Sequence, residues 1–278
     1  MGLGVFDLTG GQFLILYGVL FVLTVVAGLV IPRWLKPEGS PGAVTDPEEI
    51  AYLAGGRQRF NDMVVAQALS AGAITLGNKE FHVADTSVRL SPTAARLVSI
   101  PSPFAWSAVG DALLADAQRI EARLTRAGLL MEKPVAAQMR FWQASPYLAL
   151  LVFGAIKLEV GLSRGKPVVL LIAFMVATAI AGIIRFAKVD RRTKQGAIVL
   201  DGAKSDADRL SRAPMKEETG MAVALFGTSV LVGSAFGDFH RFRSSADGGG
   251  FADTSGCSSD GGDSGCGGGG GCGGCGGD

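Results

Sequence analysis

Histidine occurs only twice in 278 residues, cysteine is missing from the first 256, and no lysine or arginine precedes residue 33. Each shortage removes a class of explanation. His82 and His240 have no serine or cysteine partner in a recognisable frame, which argues against a Ser-His or Cys-His nucleophile. No glycine-rich loop leads into a Lys-Ser or Lys-Thr helix start. Gly161-Leu162-Ser163-Arg164-Gly165-Lys166-Pro167 lacks that frame, and its cations read as a loop anchor. Glu48 with Glu49, and Asp206 with Asp208, stand in solvated helix-start or loop contexts that need no acid-base role. These absences weigh against an enzyme. Charge is also scarce: 18% of residues are charged against 48% apolar, and the mean hydropathy is +0.35. That is too apolar for an ordinary soluble domain, and a net charge of +1 gives no global field to gather nucleic acid.

What is present is a set of long apolar runs. Residues 11–31 carry no charge and end at Pro32-Arg33-Trp34-Leu35-Lys36, where proline stops the helix and Trp, Arg and Lys suit the headgroup zone. A cleaved signal peptide would want a cationic start, whereas this N-terminus carries Asp7, so the run reads as an uncleaved anchor. Residues 145–162 and 167–187, joined by a short loop, form an expected membrane hairpin. Residues 220–237 are a fourth apolar run whose Gly227, Gly233 and Gly237 suit close helix packing, giving four expected spans. Lys157 and Glu159 fall near the end of the second span. They read as interface anchors, with a polar transport or catalytic site in the bundle as the alternative.

Lysine and arginine set the expected orientation. Twelve lie in 32–144 and nine in 185–219, against two in the hairpin loop. The positive-inside rule then places 46–140 and 188–219 in the cytoplasm of a bacterium, in its inner membrane, with the N-terminus and the tail outside.

The segment between the first two spans has the punctuation of a folded domain. Residues 37–45 read as a linker, and Asp46-Pro47-Glu48-Glu49 is a helix start with N-cap, proline and first-turn acids. That helix should stop at Gly55-Gly56, and a second should run over 57–71. A hairpin follows, turning at Gly77-Asn78, with 80–83 alternating as a strand. A third helix is expected over 108–127, with the stripe Val109, Leu113, Ala117, Ile120 and Leu124. The endings repeat: Val64, Ala68, Gly72 and Ile74 match Ile120, Leu124, Gly128 and Leu130 in spacing. The expected fold is therefore mainly α, with membrane helices, a small winged-helix-like domain over 46–140 carrying a short β-hairpin, and a disordered tail. DNA binding is disfavoured, because residues 60–78 contain no lysine or arginine.

The tail, 238–278, carries all four cysteines, and sixteen glycines lie between Gly248 and Asp278. Such a segment has much backbone entropy to lose and nothing to bury. Cys257, Cys266, Cys272 and Cys275 are candidate metal ligands. Cys272-Gly273-Gly274-Cys275 is a minimal chelate, and four thiolates suit zinc or an iron-sulfur cluster. Labile disulfides and an inert spacer are the competing readings.

Several motifs in this order resemble an uncharacterised family of bacterial multi-span membrane proteins: Ile50-Ala51-Tyr52-Leu53-Ala54-Gly55-Gly56, Gly128-Leu129-Leu130, the 161–167 loop, Arg191-Arg192-Thr193-Lys194-Gln195-Gly196 and Ala222-Val223-Ala224-Leu225-Phe226-Gly227. Lys166 stands where that family's loop has arginine, which keeps the charge. The resemblance implies the architecture and brings no activity, cofactor or catalytic residue. The function expected is that of a membrane-anchored, non-enzymatic scaffold or interaction protein, with the lipid bilayer and a cytoplasmic protein as partners. A metal-binding or thiol-redox protein is the alternative.

Overall fold

The computed structural model describes residues 10–163, 168–187, 190–212 and 215–247. It is mainly helical, with one two-stranded antiparallel sheet. The first apolar helix is α1 (Gly10–Leu35). The domain opens with α2 (Pro47–Ser70), whose Asp46 cap accepts from the Glu48 N–H at 3.0 Å. The break foreseen at Gly55-Gly56 is a kink inside α2, with Gly56 at φ +64°. Strands β1 (Ile74–Gly77) and β2 (Glu80–Val83) pair from Ile74 with Val83 to Gly77 with Glu80. Their turn is Asn78-Lys79, both at positive φ, one residue later than expected. Two left-handed residues make a type I′ turn, whose twist matches that of the strands.

Ser91 caps α3 (Pro92–Val98), a helix too short to show a period in the sequence. The helix expected over 108–127 is two, α4 (Trp106–Ala112) and α5 (Leu114–Arg126), yet the stripe from Val109 to Leu124 is buried as a unit. The matched endings are one structure used twice. Gly72 stands at φ +77° and the Ala73 N–H bonds the Ala68 carbonyl; Gly128 stands at φ +71° and the Leu129 N–H bonds the Leu124 carbonyl, both at 3.0 Å. A left-handed glycine with this long-reach bond is the Schellman ending.

Helix α6 (Lys133–Ser163) starts well before residue 145. At 1.5 Å per residue it is about 46 Å long, enough to cross about 30 Å of hydrocarbon and leave a stalk. Helix α7 (Val169–Ala187) returns beside it. Three helices, α1, α6 and α7, are long and apolar enough to cross a membrane. They interlock at two notches. Tyr17 of α1 is buried against Gly154 of α6 and hydrogen-bonded to Thr178 of α7 at 3.3 Å, while Tyr147 of α6 fills the space left by Gly28 of α1 and Gly182 of α7. Glycine lets the backbones approach where lipid offers no hydrophobic drive to helix association.

The fourth run does not form a span. After α8 (Lys194–Asp206) and α9 (Asp208–Arg212), residues 220–237 fall into α10 (Thr219–Phe226), a 3₁₀ turn Thr228–Leu231 and irregular chain. Gly227, at φ +88°, stops α10 after eight residues, about 12 Å, far short of a bilayer. Ala222, Val223, Ala224 and Leu225 are instead buried in the domain core with Phe60, Met63 and Val64 of α2. Burying Val223 and Leu225 contributes on the order of 1.5–3 kcal/mol each.

The tail also begins later than 238, because α11 (Gly237–Asp247) docks with Phe239 and Arg243 buried. The domain expected over 46–140 is therefore built from two stretches, 37–131 and 190–247, and the separate 188–219 segment belongs to it. The described chain ends at Asp247, on the domain. Residues 248–278 lie outside the described residues.

Candidate functional site at the membrane-facing junction

Where the bundle meets the domain, three pieces of chain are joined by backbone hydrogen bonds. The Lys194 and Gln195 N–H groups donate to the Pro37 and Glu38 carbonyls, each at 3.0 Å. The Thr193 N–H donates to the Leu129 carbonyl at 3.1 Å, the Met131 N–H to the Arg191 carbonyl at 2.8 Å, and Leu130 pairs with Arg192 as a short antiparallel bridge. The Thr193 side chain caps α8 by accepting from the Gly196 N–H at 3.1 Å, and its hydroxyl lies 2.8 Å from the Gly128 carbonyl. Glycine is required by contact: a Cβ on Gly39, at φ +79°, would stand 2.3 Å from the Gly128 oxygen, and one on Gly196 2.2 Å from the Leu129 oxygen. The ends of α1, α5 and α7 are thus held in one small sheet-like knot.

Ion pairs surround the knot. Lys36 and Arg192 both grip Asp190, at 2.8 and 2.9 Å. Arg191 grips Glu121 at 2.8 Å, and the Tyr52 hydroxyl bonds the same carboxylate. Burial raises the pKa of Glu121, but the Arg191 hydrogen bond and charge outweigh it and hold the acid below its ordinary value. Asp190 is likewise held low, with the Arg192 charge and the Lys36 hydrogen bond overcoming its desolvation. Burial, with the Glu121 charge beside it, pushes Tyr52 up to about 12. These groups are committed to one another, and their chemistry is adhesive.

A second cluster fixes α10 and α11 on α2. The Arg59 stem lies against Gly55, and its guanidinium lies over Gly227, where a Cβ would come within 2.8 Å. Deeper in, Asp62 pairs with Arg243 at 2.6 Å, almost fully buried, and the Arg243 guanidinium stacks 4.3 Å over the Trp106 ring.

The residues singled out in the sequence fall as follows. Cys257, Cys266, Cys272 and Cys275 lie outside the described residues. Among the described residues no group of three or more His, Cys, Asp or Glu could hold a metal ion. Lys157 stands 4.9 Å over the Phe13 ring, near the end of α6 away from the domain, and Glu159 is exposed. His82 is exposed on β2, and His240 Nδ1 is 3.1 Å from the Thr228 hydroxyl. The motifs 128–130 and 191–196, read separately, meet in the knot, and Tyr52 reaches it through Glu121. Sequence reasoning does not find the Asp62–Arg243 pair, although Asp62, the one charged residue in the stretch 60–69, is a visible signal. Comparisons with protein-family models, curated proteins and solved structures give no significant match, so the functional reading rests on this geometry.

Proposed function

We propose that the protein is a membrane-anchored interaction protein. Three helices cross a bacterial cytoplasmic membrane, and a domain that is winged-helix-like in its helix-then-hairpin order docks a protein partner in the cytoplasm. The junction carries this reading. A domain on a loose tether has no need of backbone bonds joining 37–38, 129–131 and 191–195, whereas a platform that must meet its partner in a fixed attitude does. Charge supports the orientation: Lys36, Arg185, Arg191, Arg192 and Lys194 gather at the domain end of the bundle, against Arg164 and Lys166 in the sequence between α6 and α7. The bacterial setting rests on the family resemblance. Photo-crosslinkers at the exposed Ile198 and Met215, in cells, should capture one recurring protein; captures that differ from replicate to replicate would sink the proposal.

A second reading is favoured by the exit of the chain from α11 on the domain side. In a reducing cytoplasm Cys257, Cys266, Cys272 and Cys275 would be thiols, suited to zinc or an iron-sulfur cluster. A stoichiometric metal in the purified full-length protein, lost on Cys to Ser replacement, supports this reading; metal-free protein from every preparation removes it.

A further inference from the structure

We infer that Arg140, with Arg185, seats the phosphate of an anionic phospholipid on the domain side of the bilayer. Arg140 belongs to the stripe of α6 that faces the bundle, one helical turn beyond Gln143 and two beyond Tyr147, both buried. Its Nε is buried without a hydrogen-bond partner. Among the described residues no carboxylate lies within ion-pairing distance of it, whereas Arg191 and Arg192 of the junction each hold one. An unmet buried donor on a cation is costly, and because Arg140 as a whole is only half-buried, a small shift of its side chain lets an anion from outside the chain meet it.

Arg185 adds a second cation about one turn nearer the membrane. Its Nε donates to the Gly28 carbonyl at 2.8 Å, and with the Gln143 amide turned so that its oxygen faces the guanidinium, Nη2 donates to it at 2.9 Å. Both partners are neutral, so among the described residues no carboxylate compensates the charge of Arg185.

The depth is that of a headgroup. Arg140 precedes residue 145, where the apolar stretch of α6 begins, by five residues, about 7 Å along the axis; this is the layer of the lipid phosphates just outside the hydrocarbon. Phe141 and Trp142, exposed on the adjoining faces of α6, are the side chains expected at that level. Two uncompensated guanidinium groups favour a lipid with net negative charge over a zwitterionic one.

The proposal rests on the membrane-spanning reading, which alkaline extraction of cell membranes tests separately: release of the protein would defeat both, and retention leaves the lipid site to be judged alone. Full-length protein is purified in detergent and given phosphatidylglycerol or phosphatidylcholine, and bound lipid is counted by native mass spectrometry. We expect one phosphatidylglycerol to be retained at least tenfold more than phosphatidylcholine, the preference to be lost in Arg140→Gln, and Arg140→Lys to keep part of it. Equal retention of the two lipids by the wild type, a comparison that needs no variant, overturns the proposal, as does full retention by a folded Arg140→Gln protein. Inorganic phosphate should not reproduce the thermal stabilisation given by phosphatidylglycerol; if it does, the seat is for free phosphate and the lipid assignment fails.

Discussion

Replacing Gly196 by alanine should destabilise the protein, while the same change six residues along the same helix should stabilise it. A Cβ on Gly196 would lie 2.2 Å from the Leu129 carbonyl oxygen, whereas carbon-oxygen contacts normally begin near about 3.3 Å, so roughly 1 Å must open. That oxygen is not free to retreat, because it accepts from the Thr193 N–H at 3.1 Å and sits 3.1 Å from the Thr193 hydroxyl. Losing one or two such bonds costs about 1 kcal/mol each, and the overpacking about 1–3 kcal/mol more. Alanine's better helix propensity returns about 1 kcal/mol, leaving a net loss of about 1–4 kcal/mol. Gly202 has nothing within 4 Å of a built Cβ, so Gly202→Ala keeps the propensity gain alone. At about 2–4 °C per kcal/mol for a domain of this size, thermal unfolding in detergent should fall by several degrees for Gly196→Ala and rise by a few for Gly202→Ala. Hydrogen exchange should locate the loss at the amides of 129–131 and 193–196. A Gly196→Ala protein as stable as wild type would refute the knot as described.

Other predictions follow from the remaining clusters. Asp62→Ala leaves the buried Arg243 without its carboxylate and should cost about 3–5 kcal/mol, with faster exchange throughout α11; an effect under about 1 kcal/mol would mean that the pair is not buried. Glu121 and Asp190 are held below their ordinary values in the folded state, so their contribution is complete above about pH 5 and is lost as pH falls through the depressed values. Denaturation midpoints measured between about pH 5 and 2 should show this, and a flat profile would contradict it. Tyr52 runs the other way: raised to about 12, it adds stability below its ordinary value near 10 that fades between about 10 and 12, as ultraviolet titration of the phenolate with parallel unfolding would reveal. A membrane-impermeant maleimide applied to intact cells should leave the tail cysteines unlabelled until lysis, and prompt labelling would place the domain outside.

The sequence made the long apolar helices and the helix punctuation legible because both are local. Uncharged runs of span length, the Asp46-Pro47 start and the Gly55-Gly56 break need no distant partner to be recognised. The fourth apolar run misled because composition does not separate a membrane helix from one buried in a protein core; the distinction lay in Gly227, which needs a positive φ and cuts the run in two. The winged-helix boundary at residue 140 failed for a related reason, since nothing local says that 222–225 complete a core begun at 50–69. The repeated endings at Gly72 and Gly128 were visible as spacing. The hairpin after the first was also legible from its turn residues and alternation, whereas only the fold shows that the second leads into the knot.

The domain is interrupted by the helix pair α6 and α7, and in the membrane-spanning reading proposed above this sets an order of events on the ribosome. When residue 131 has been made, the apolar face of α2 still awaits Val223 and Leu225, which come about a hundred residues later. At about 5–20 residues per second that is a delay of roughly 5–20 s. During this interval, in that reading, α6 and α7 would enter the bilayer while a half-built core stays exposed beside it. Insertion therefore precedes completion of the fold, and a nascent chain stalled between the two is a natural client for holdase chaperones and membrane proteases.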